Sequence, residues 1–280
     1  MASHQQEYAV TVMCCALEVS VSGFYAWRKR KPSQRSREDA ELAGKIKTAF
    51  QSHRCVYGSP RIHAELHAQG WNCARKRVAR LMQELDLVAK RPRHPTVTTK
   101  SEEGAAVAPN LLQQDFHADQ PNQKWASDTT SIWTQEGWLY LAVVLDLFSR
   151  MVVGWAMAAL QDATLVGCAL QMALARRRPQ AGLLHHSDRG STSTSQSYLA
   201  LVEQNGMVPS MSRTANCYDN AATESFFHSI KGESLDHESF QTRAQARNSI
   251  FDSRETFYHR TRRHSTLQYL SPVEFEQSMG

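Results

Sequence analysis

Three acidic residues occupy positions from which a fold could bring their carboxylates together. Asp128 lies in the stretch WASDTT, where the alternating pattern of a strand otherwise favours Val, Ile or Thr. Asp188 follows the stretch GLLHHS, and 35 residues separate it from Glu224 in NCYDNAATESFFHSIKGES. Three such carboxylates can bind two hard cations about 4 Å apart, an arrangement that promotes in-line displacement at phosphorus. Mg²⁺ fits these oxygen ligands best, and Mn²⁺ is the expected substitute.

The segment around Glu224 has the period of a short amphipathic helix. Phe226, Phe227 and Ile230 share the buried side, and Asp219 or Asn220 is expected to cap the helix. Glu224, His228 and Lys231 fall on the exposed side. A carboxylate with cations three and four residues away can equally form a solvated ion-pair face. The carboxylate therefore gains a chemical role only from its neighbours in space.

The elements that must position these residues form an α/β pattern in residues 123–280. Three strands joined by short connections are predicted to be antiparallel, and the complete element order is βββαβαβα. A mixed sheet of this order places its first and fourth strands side by side. Asp128 and Asp188 would then face the helix that carries Glu224 across one edge of the sheet.

The N-terminal region, residues 1–89, is basic and helical. The first 100 residues carry 18 Lys and Arg against 8 Asp and Glu, whereas the remaining 180 carry 14 against 19. Two helix-turn-helix patterns are predicted in tandem. The first has a Ser20 cap and places Phe24 and Trp27 on an inner face. The second has Ser59 as N-cap and Pro60 in its first turn, and its later helix is predicted to start near Asn72. Such a region suits binding to a polyanion, with a plain helical bundle and a solvated basic surface as alternatives.

Residues 90–122 have no sustained period and are predicted to be a linker. No apolar run approaches the ~20 residues of a membrane span, and the N-terminal residues do not have the pattern of a secretion signal, so a cytoplasmic protein without a membrane partner is expected. The six cysteines show no C-x-x-C pair, which favours free thiols.

Three stretches carry a family resemblance: WASDTTSIWTQEGWLYLAVVLDLFSRMVVGWAM, HHSDRGS and NCYDNAATESFFHSIKGE. They closely resemble the catalytic core of bacterial insertion-sequence transposases with a retroviral-integrase-like DDE core, and more narrowly the downstream-frame protein of a two-frame family. YGSPRIHAEL and RKRVARLM resemble the helix-turn-helix of that family, and FYHRTRRHSTLQYLSPVEFE resembles its C-terminal signature. The resemblance implies a ribonuclease H-like (retroviral integrase) mixed-sheet core preceded by an all-α helix-turn-helix region.

The resemblance also implies specific roles. Asp128, Asp188 and Glu224 would be the catalytic and metal-binding triad, and Lys231 and His228 would touch the transposon end. The implied reaction is metal-dependent strand cleavage followed by strand transfer through transesterification. Implied partners are the terminal inverted repeats, target DNA, the upstream-frame protein or a fusion to it, and further copies in a dimer or larger assembly. Thr192-Ser193 departs from the usual Gln-Tyr of the family.

Further basic residues are expected to contact DNA. They are Arg61, Arg75, Lys76, Arg77, Arg80, Arg262 and Arg263.

Several other polar residues are given structural roles. Asp146 is expected to form an ion pair with Arg150, and Asp219 is expected to cap a helix rather than bind a metal. His185 and His186 would point to opposite faces of a strand and serve the core or support the site. Zinc at His63, His67, Cys55 and Cys73 is disfavoured, because the cysteines lack C-x-x-C spacing.

Two other function classes compete with a transposase. A non-catalytic DNA-binding repressor would use only the N-terminal region. A ribonuclease H-type nuclease would cleave strands without joining them and would not need a basic helix-turn-helix region.

Overall fold

A five-stranded mixed sheet forms the centre of the C-terminal region. The structure, a computed structural model, describes residues 1–90, 108–213 and 217–279. The strands are β1 (Lys124–Thr134), β2 (Gly137–Asp146), β3 (Val152–Ala158), β4 (Leu184–Ser187) and β5 (Val208–Met211), in the order β3-β2-β1-β4-β5. β1, β2 and β3 are antiparallel, whereas β4 is parallel to both β1 and β5. The first and fourth strands are therefore neighbours, which confirms that prediction.

Helices cover both faces of the sheet. They are α6 (Ala163–Arg177), α7 (Gln196–Gln204), α8 (Ala221–Glu233), α9 (Arg243–Phe251) and α10 (Pro272–Met279). The predicted order βββαβαβα matches these elements from β1 to α8. Trp125 of β1 packs in the cluster formed with α6 and α7, whereas Ala126 packs in the cluster that contains Phe226 and Ile230 of α8. Because side chains alternate along a strand, Asp128 shares the face of Ala126 and points towards α8.

The approach of α6 to β3 requires a glycine. A Cβ at Gly154 would lie 2.1 Å from the carbonyl oxygen of Ala169 and 2.7 Å from the Ala173 Cβ. No L side chain fits in that space, so the close helix-on-sheet contact depends on the bare backbone.

The N-terminal region contains five helices. They are α1 (Val10–Ala16), α2 (Val21–Lys29), α3 (Gln34–Ser52), α4 (Ser59–Ala68) and α5 (Arg75–Glu84). α3, α4 and α5 surround one core that includes Ile46, Ile62 and Val78. α3 was not predicted as a separate element, although Ser33 caps it and its buried Leu42, Ile46, Ala49 and Phe50 follow helical spacing.

The two predicted helix pairs exist, with corrections to their details. Ser20 caps α2 by accepting the Gly23 N–H, as predicted. Trp27 is 61% exposed, so its predicted place on an inner face is wrong. The seven-residue α1 is too short to cover both aromatic positions of α2, and only Phe24 is buried. At the second pair Gly58 is the N-cap, not Ser59, and the later helix begins at Arg75.

The helical core and the C-terminal region contact each other directly. Phe257, from the π-helical turn Asp252–Tyr258, is buried in the core of α3, α4 and α5. The Tyr57 hydroxyl donates to the Thr261 carbonyl at 3.0 Å and accepts the Arg263 N–H at 2.7 Å. These contacts fix the position of α4 beside the C-terminal segment.

The predicted linker is only partly described. Residues 91–107 lie outside the described residues, whereas Leu112 is buried in the core beneath α8. In the described part of the chain no single helix is long and apolar enough to cross a membrane, although α1 and α2 meet the same criterion as one bent pair.

Candidate active site

The strand register places Asp128 beside Asp188. β1 and β4 pair in parallel, and the last partners are Ser127 and Ser187. Asp128 is the next residue of β1 and Asp188 directly follows the end of β4, and neighbouring strands lie about 4.8 Å apart. The structure therefore brings two of the three predicted carboxylates to one point of the sheet.

Glu224 lies above this point, in the first turn of α8. Phe226, Phe227 and Ile230 are buried against the sheet, as predicted. Glu224 and His228 are exposed and Lys231 is half-buried. The buried apolar side of α8 thus fixes which helix face presents Glu224 to the edge of the sheet.

The three carboxylates act on one another electrostatically. Burial and the nearby charge of Asp188 raise the pKa of Asp128 to about 8, with a smaller contribution from Glu224. A hydrogen bond from the Thr129 N–H, at 2.7 Å, opposes this increase. Partial burial of its carboxylate also raises the pKa of Glu224, although the residue as a whole is exposed. Because neighbouring carboxylates raise the pKa of Asp128, a cation bound among them would stabilise its charged form.

The three donor groups suit a hard cation, but in this structure the carboxylates lie too far apart for all three to bind one ion. All three donors are carboxylates, the ligand type preferred by Mg²⁺. Within residues 1–90, 108–213 and 217–279, however, no three His, Cys, Asp or Glu side chains lie close enough together to hold one metal ion. Three ligands could share an ion only after the carboxylates approach one another.

Asp188 is held by the loop that follows it. The buried Ser193 hydroxyl donates to Asp188 Oδ1 at 2.9 Å. A Cβ at Gly190 would lie 3.1 Å from Asp188 Oδ2, so the loop passes close to the carboxylate. The Thr192-Ser193 departure thus supplies a hydroxyl that orients the second aspartate, a role that no local pattern indicated.

The two histidines before Asp188 are buried core residues, in agreement with the prediction. His185 Nε2 lies 2.7 Å from the Tyr198 hydroxyl, and His186 bonds the hydroxyls of Ser210 and Ser212 at 2.9 and 3.1 Å. Burial lowers the pKa of His185 to about 3 and that of His186 to about 4. Both imidazoles are neutral supports of β4.

Two predicted roles of aspartates are wrong. Asp146 makes no ion pair with Arg150 among the described residues; its carboxylate accepts the backbone N–H groups of Asn122 and Phe148 at 2.8 and 3.0 Å. Burial raises its pKa to about 6. The side chain of Asp219 does not cap α8, because it is buried within a 3₁₀ turn and accepts both the backbone and the guanidinium of Arg213.

The basic residues predicted to contact DNA divide into two groups. Arg75 and Lys76 are exposed on α5, as is His228 on α8. Lys231 is half-buried on α8. The five remaining arginines make ion pairs within the chain: Arg77 and Arg80 with Asp39 at 2.6 and 2.7 Å, Arg61 and Arg262 with Glu233 at 3.0 and 2.6 Å, and Arg263 with Glu65 at 2.7 Å. Arg262 is only 4% exposed. Its guanidinium therefore joins α8 to the C-terminal segment.

Comparisons with known proteins match both regions of the chain. Models described as integrase core domain match residues 118–217 and 205–272, and one described as HTH-like domain matches residues 36–95. The insertion element IS600 uncharacterized 31 kDa protein of Shigella sonnei is 45% identical over 95% of this chain and 97% of its own length. Transposase InsF for insertion sequence IS3A of Escherichia coli is 42% identical over 98% of this chain and 96% of its own. The chain belongs to the insertion-sequence transposase family.

Membership confirms the predicted class of enzyme. An insertion-sequence transposase with an integrase core is a polynucleotidyl transferase that acts in DNA transposition. The integrase-like mixed sheet and the helix-turn-helix-like region that precedes it are likewise as predicted. Among solved structures, the HTLV-2 integrase catalytic core domain in complex with magnesium aligns with 57% of this chain and 99% of its own, at 16% identity and a TM-score of 0.44.

Proposed function

We propose that this transposase cleaves DNA strands at transposon ends and joins them to new sites by transesterification, with Asp128, Asp188 and Glu224 as its catalytic carboxylates. The observation that carries the proposal is the position of Asp128 and Asp188 on adjacent parallel strands beneath the helix of Glu224. No covalent intermediate with the enzyme is required, because the freed 3′ hydroxyl can attack a phosphodiester directly.

The carboxylates would hold two Mg²⁺ ions, for which Mn²⁺ can substitute. Bound there, the ions would activate the attacking oxygen and stabilise the leaving oxygen at the DNA phosphate. The residues of the chain prepare this site in distinct ways. Asp128 must release a proton before it can act as a ligand, because its pKa is about 8. Ser193 fixes one oxygen of Asp188, and α8 carries Glu224 towards the pair.

Positive side chains beside the site suit a DNA strand. His228 and Lys231 follow Glu224 on the same side of α8, and the charge of Asp128 acts on Lys231. Arg75 and Lys76 begin α5 and are exposed, so they suit phosphate contacts in the helix-turn-helix region. We propose terminal inverted repeats and target DNA as the partners, in an assembly of two or more copies with the upstream-frame protein or a fusion to it.

The test is an assay that scores nicked and joined products separately. The whole chain is incubated with end-labelled duplexes of the element ends in Mg²⁺. Asp128→Asn, Asp188→Asn and Glu224→Gln should each reduce both products by about 10³-fold, since metal stabilisation supplies several kcal/mol. DNA binding by the N-terminal region should persist. Asp119→Asn, which changes an exposed carboxylate, is the matched control and should retain activity.

The competing functions predict different products. A repressor would show no cleavage by the wild type, and the three substitutions would leave its biological effect unchanged. A ribonuclease H-type nuclease would give nicked strands without joined strands.

A further inference from the structure

A cavity of about 280 Å³ lies beside α8 and brings three arginines together. Arg61 comes from α4, Arg150 from the loop between β2 and β3, and Arg262 from the segment after the π-helical turn. The cavity therefore lies where the helical region, the sheet and the C-terminal segment meet. None of the roles assigned above to the catalytic carboxylates accounts for this cluster of like charges.

Two of the three guanidinium groups pair with the same carboxylate, and the third pairs with no carboxylate of the described residues. Glu233 bonds both Arg61 and Arg262. Arg150 has no carboxylate within ion-pair distance among the described residues, and its one hydrogen bond, to the Phe116 carbonyl, is long at 3.5 Å. Asp146 influences Arg150 from further away, but backbone N–H groups occupy its oxygens. Positive charge therefore remains in excess at the cavity.

No Asp or Glu is among the residues that line the cavity, so none of them neutralises this charge. His264 also lines the cavity, and its burial together with the charges of Arg262, Arg61 and Arg150 lowers the pKa of its imidazole well below the usual value. It is neutral and can accept a hydrogen bond. Ala221, Ala222 and Ser225, from the first turns of α8, also line the cavity, as do the rings of Phe116, Phe226 and Tyr258. The N-terminus of a 13-residue helix adds partial positive charge there.

We propose that this cavity binds one phosphate group, with Arg150 as its principal ligand. A guanidinium matches phosphate with paired N–H donors, and Arg150 is the arginine of the three without a carboxylate partner in the described structure. The phosphate could be a backbone phosphate of bound DNA or inorganic phosphate. A backbone phosphate fits well, because Ser225 of the cavity directly follows Glu224 in sequence. The DNA source rests on the proposed function, whereas the anion site itself does not.

The test compares Arg150→Asn with Arg178→Asn in the whole protein. Both positions have a left-handed backbone, with φ of 61° and 45°, which asparagine tolerates. Both substitutions remove one positive charge, but Arg178 is exposed at the end of α6 and lies outside the cavity lining. Arg150→Lys retains the charge and serves as the rescue variant. All binding is measured in EDTA, so that catalysis does not contribute, and thermal melting confirms that each variant is folded.

Two arms separate the possible sources. In the first, calorimetric titration with sodium phosphate, against chloride at equal ionic strength, should show saturable binding that Arg150→Asn weakens about tenfold or more. In the second, the dependence of log K on log salt for a labelled element-end duplex should become shallower by about one unit in Arg150→Asn. Arg178→Asn should match the wild type in both arms, and Arg150→Lys should recover most of the effect.

Each outcome decides the matter. A loss in both arms identifies a backbone phosphate, and a loss in the phosphate arm alone identifies inorganic phosphate; either supports the site. A shallower salt slope alone identifies a backbone phosphate that free phosphate does not replace, and it also supports the site. An unchanged salt slope in Arg150→Asn, together with phosphate binding that is absent from the wild type or unchanged in Arg150→Asn, overturns it. If Arg150→Asn does not fold, Arg150→Gly, which also fits the left-handed backbone and removes the charge, takes its place in both arms. Absence of strand cleavage by the wild type would refute the proposed function but would not affect these binding measurements.

Discussion

Asp128 should make the metal-free protein less stable as the pH rises. Its pKa is raised from 3.8 to about 8 in the folded protein, first by burial and then by Asp188. The folded state therefore holds this proton more tightly than the unfolded state. The resulting stabilisation is complete below about pH 3.8 and is lost as the pH rises through about 8. Asp128→Asn removes the titration and keeps an oxygen that can accept the Thr129 N–H.

The magnitude follows from the size of the shift and from the exposure of the group. About four pKa units at 1.36 kcal/mol each set an upper limit of ~5 kcal/mol. Because the side chain is only half-buried, solvent screening reduces the effect, and we expect about 1–2 kcal/mol at pH 8. For a chain of this size that corresponds to a difference of roughly 2–8 °C in Tm.

The assay is thermal unfolding in EDTA at pH 5 and pH 8. Asp128→Asn should gain stability relative to the wild type between these pH values, and the exposed Asp119→Asn should not. Saturating Mg²⁺ should then raise the Tm of the wild type more than that of Asp128→Asn, because only the wild type keeps the complete set of ligands. If the Tm of the wild type and that of Asp128→Asn changed equally with pH in EDTA, the pKa of Asp128 would not be raised in the folded protein.

Three further predictions concern groups that support the site and the fold. Ser193→Ala should slow strand transfer about fivefold to tenfold without changing DNA affinity, because it removes one hydrogen bond to Asp188. An unchanged rate, or an equal loss of rate in the exposed-site control Ser191→Ala, would contradict the orienting role of Ser193. Glu233→Gln should lower the free energy of unfolding in urea by about 3 kcal/mol, because the buried Arg262 loses its carboxylate, whereas Glu84→Gln at an exposed pair should change it little. Gly154→Ala in β3 should destabilise by about 3 kcal/mol or more through its clash with Ala169 of α6, while Gly167→Ala, in α6 with open space around it, should be neutral or stabilising by up to about 1 kcal/mol. Equal melting temperatures for the two variants would contradict the close contact between β3 and α6.

Local patterns were enough to predict the sheet and the three carboxylates. The alternation around Asp128 and the apolar face of α8 each depend on a few neighbouring residues, and the strand order follows from the type and sequence of the elements. The same kind of pattern marks α3 through Leu42, Ile46 and Phe50, so its omission was avoidable.

Long-range pairing could not be predicted in this way. Arg263 pairs with Glu65 across 198 positions, and Arg77 pairs with Asp39 across 38. A basic residue in the sequence looks the same whether its partner is DNA or a distant carboxylate. Asp219 shows the same difficulty, because its partners Asn110 and Gln114 lie 109 and 105 positions earlier.

The proposed function requires Asp128, Asp188 and Glu224 to bind divalent cations jointly at a DNA phosphate. The decisive measurement is anomalous scattering from Mn²⁺ in crystals of the protein bound to an element-end duplex. We predict Mn²⁺ peaks in contact with Asp128 and Asp188 oxygens, with Glu224 as a ligand of at least one ion, and loss of those peaks in Asp188→Asn. Mn²⁺ bound elsewhere, with the three carboxylates apart beside a bound DNA strand, would contradict the account.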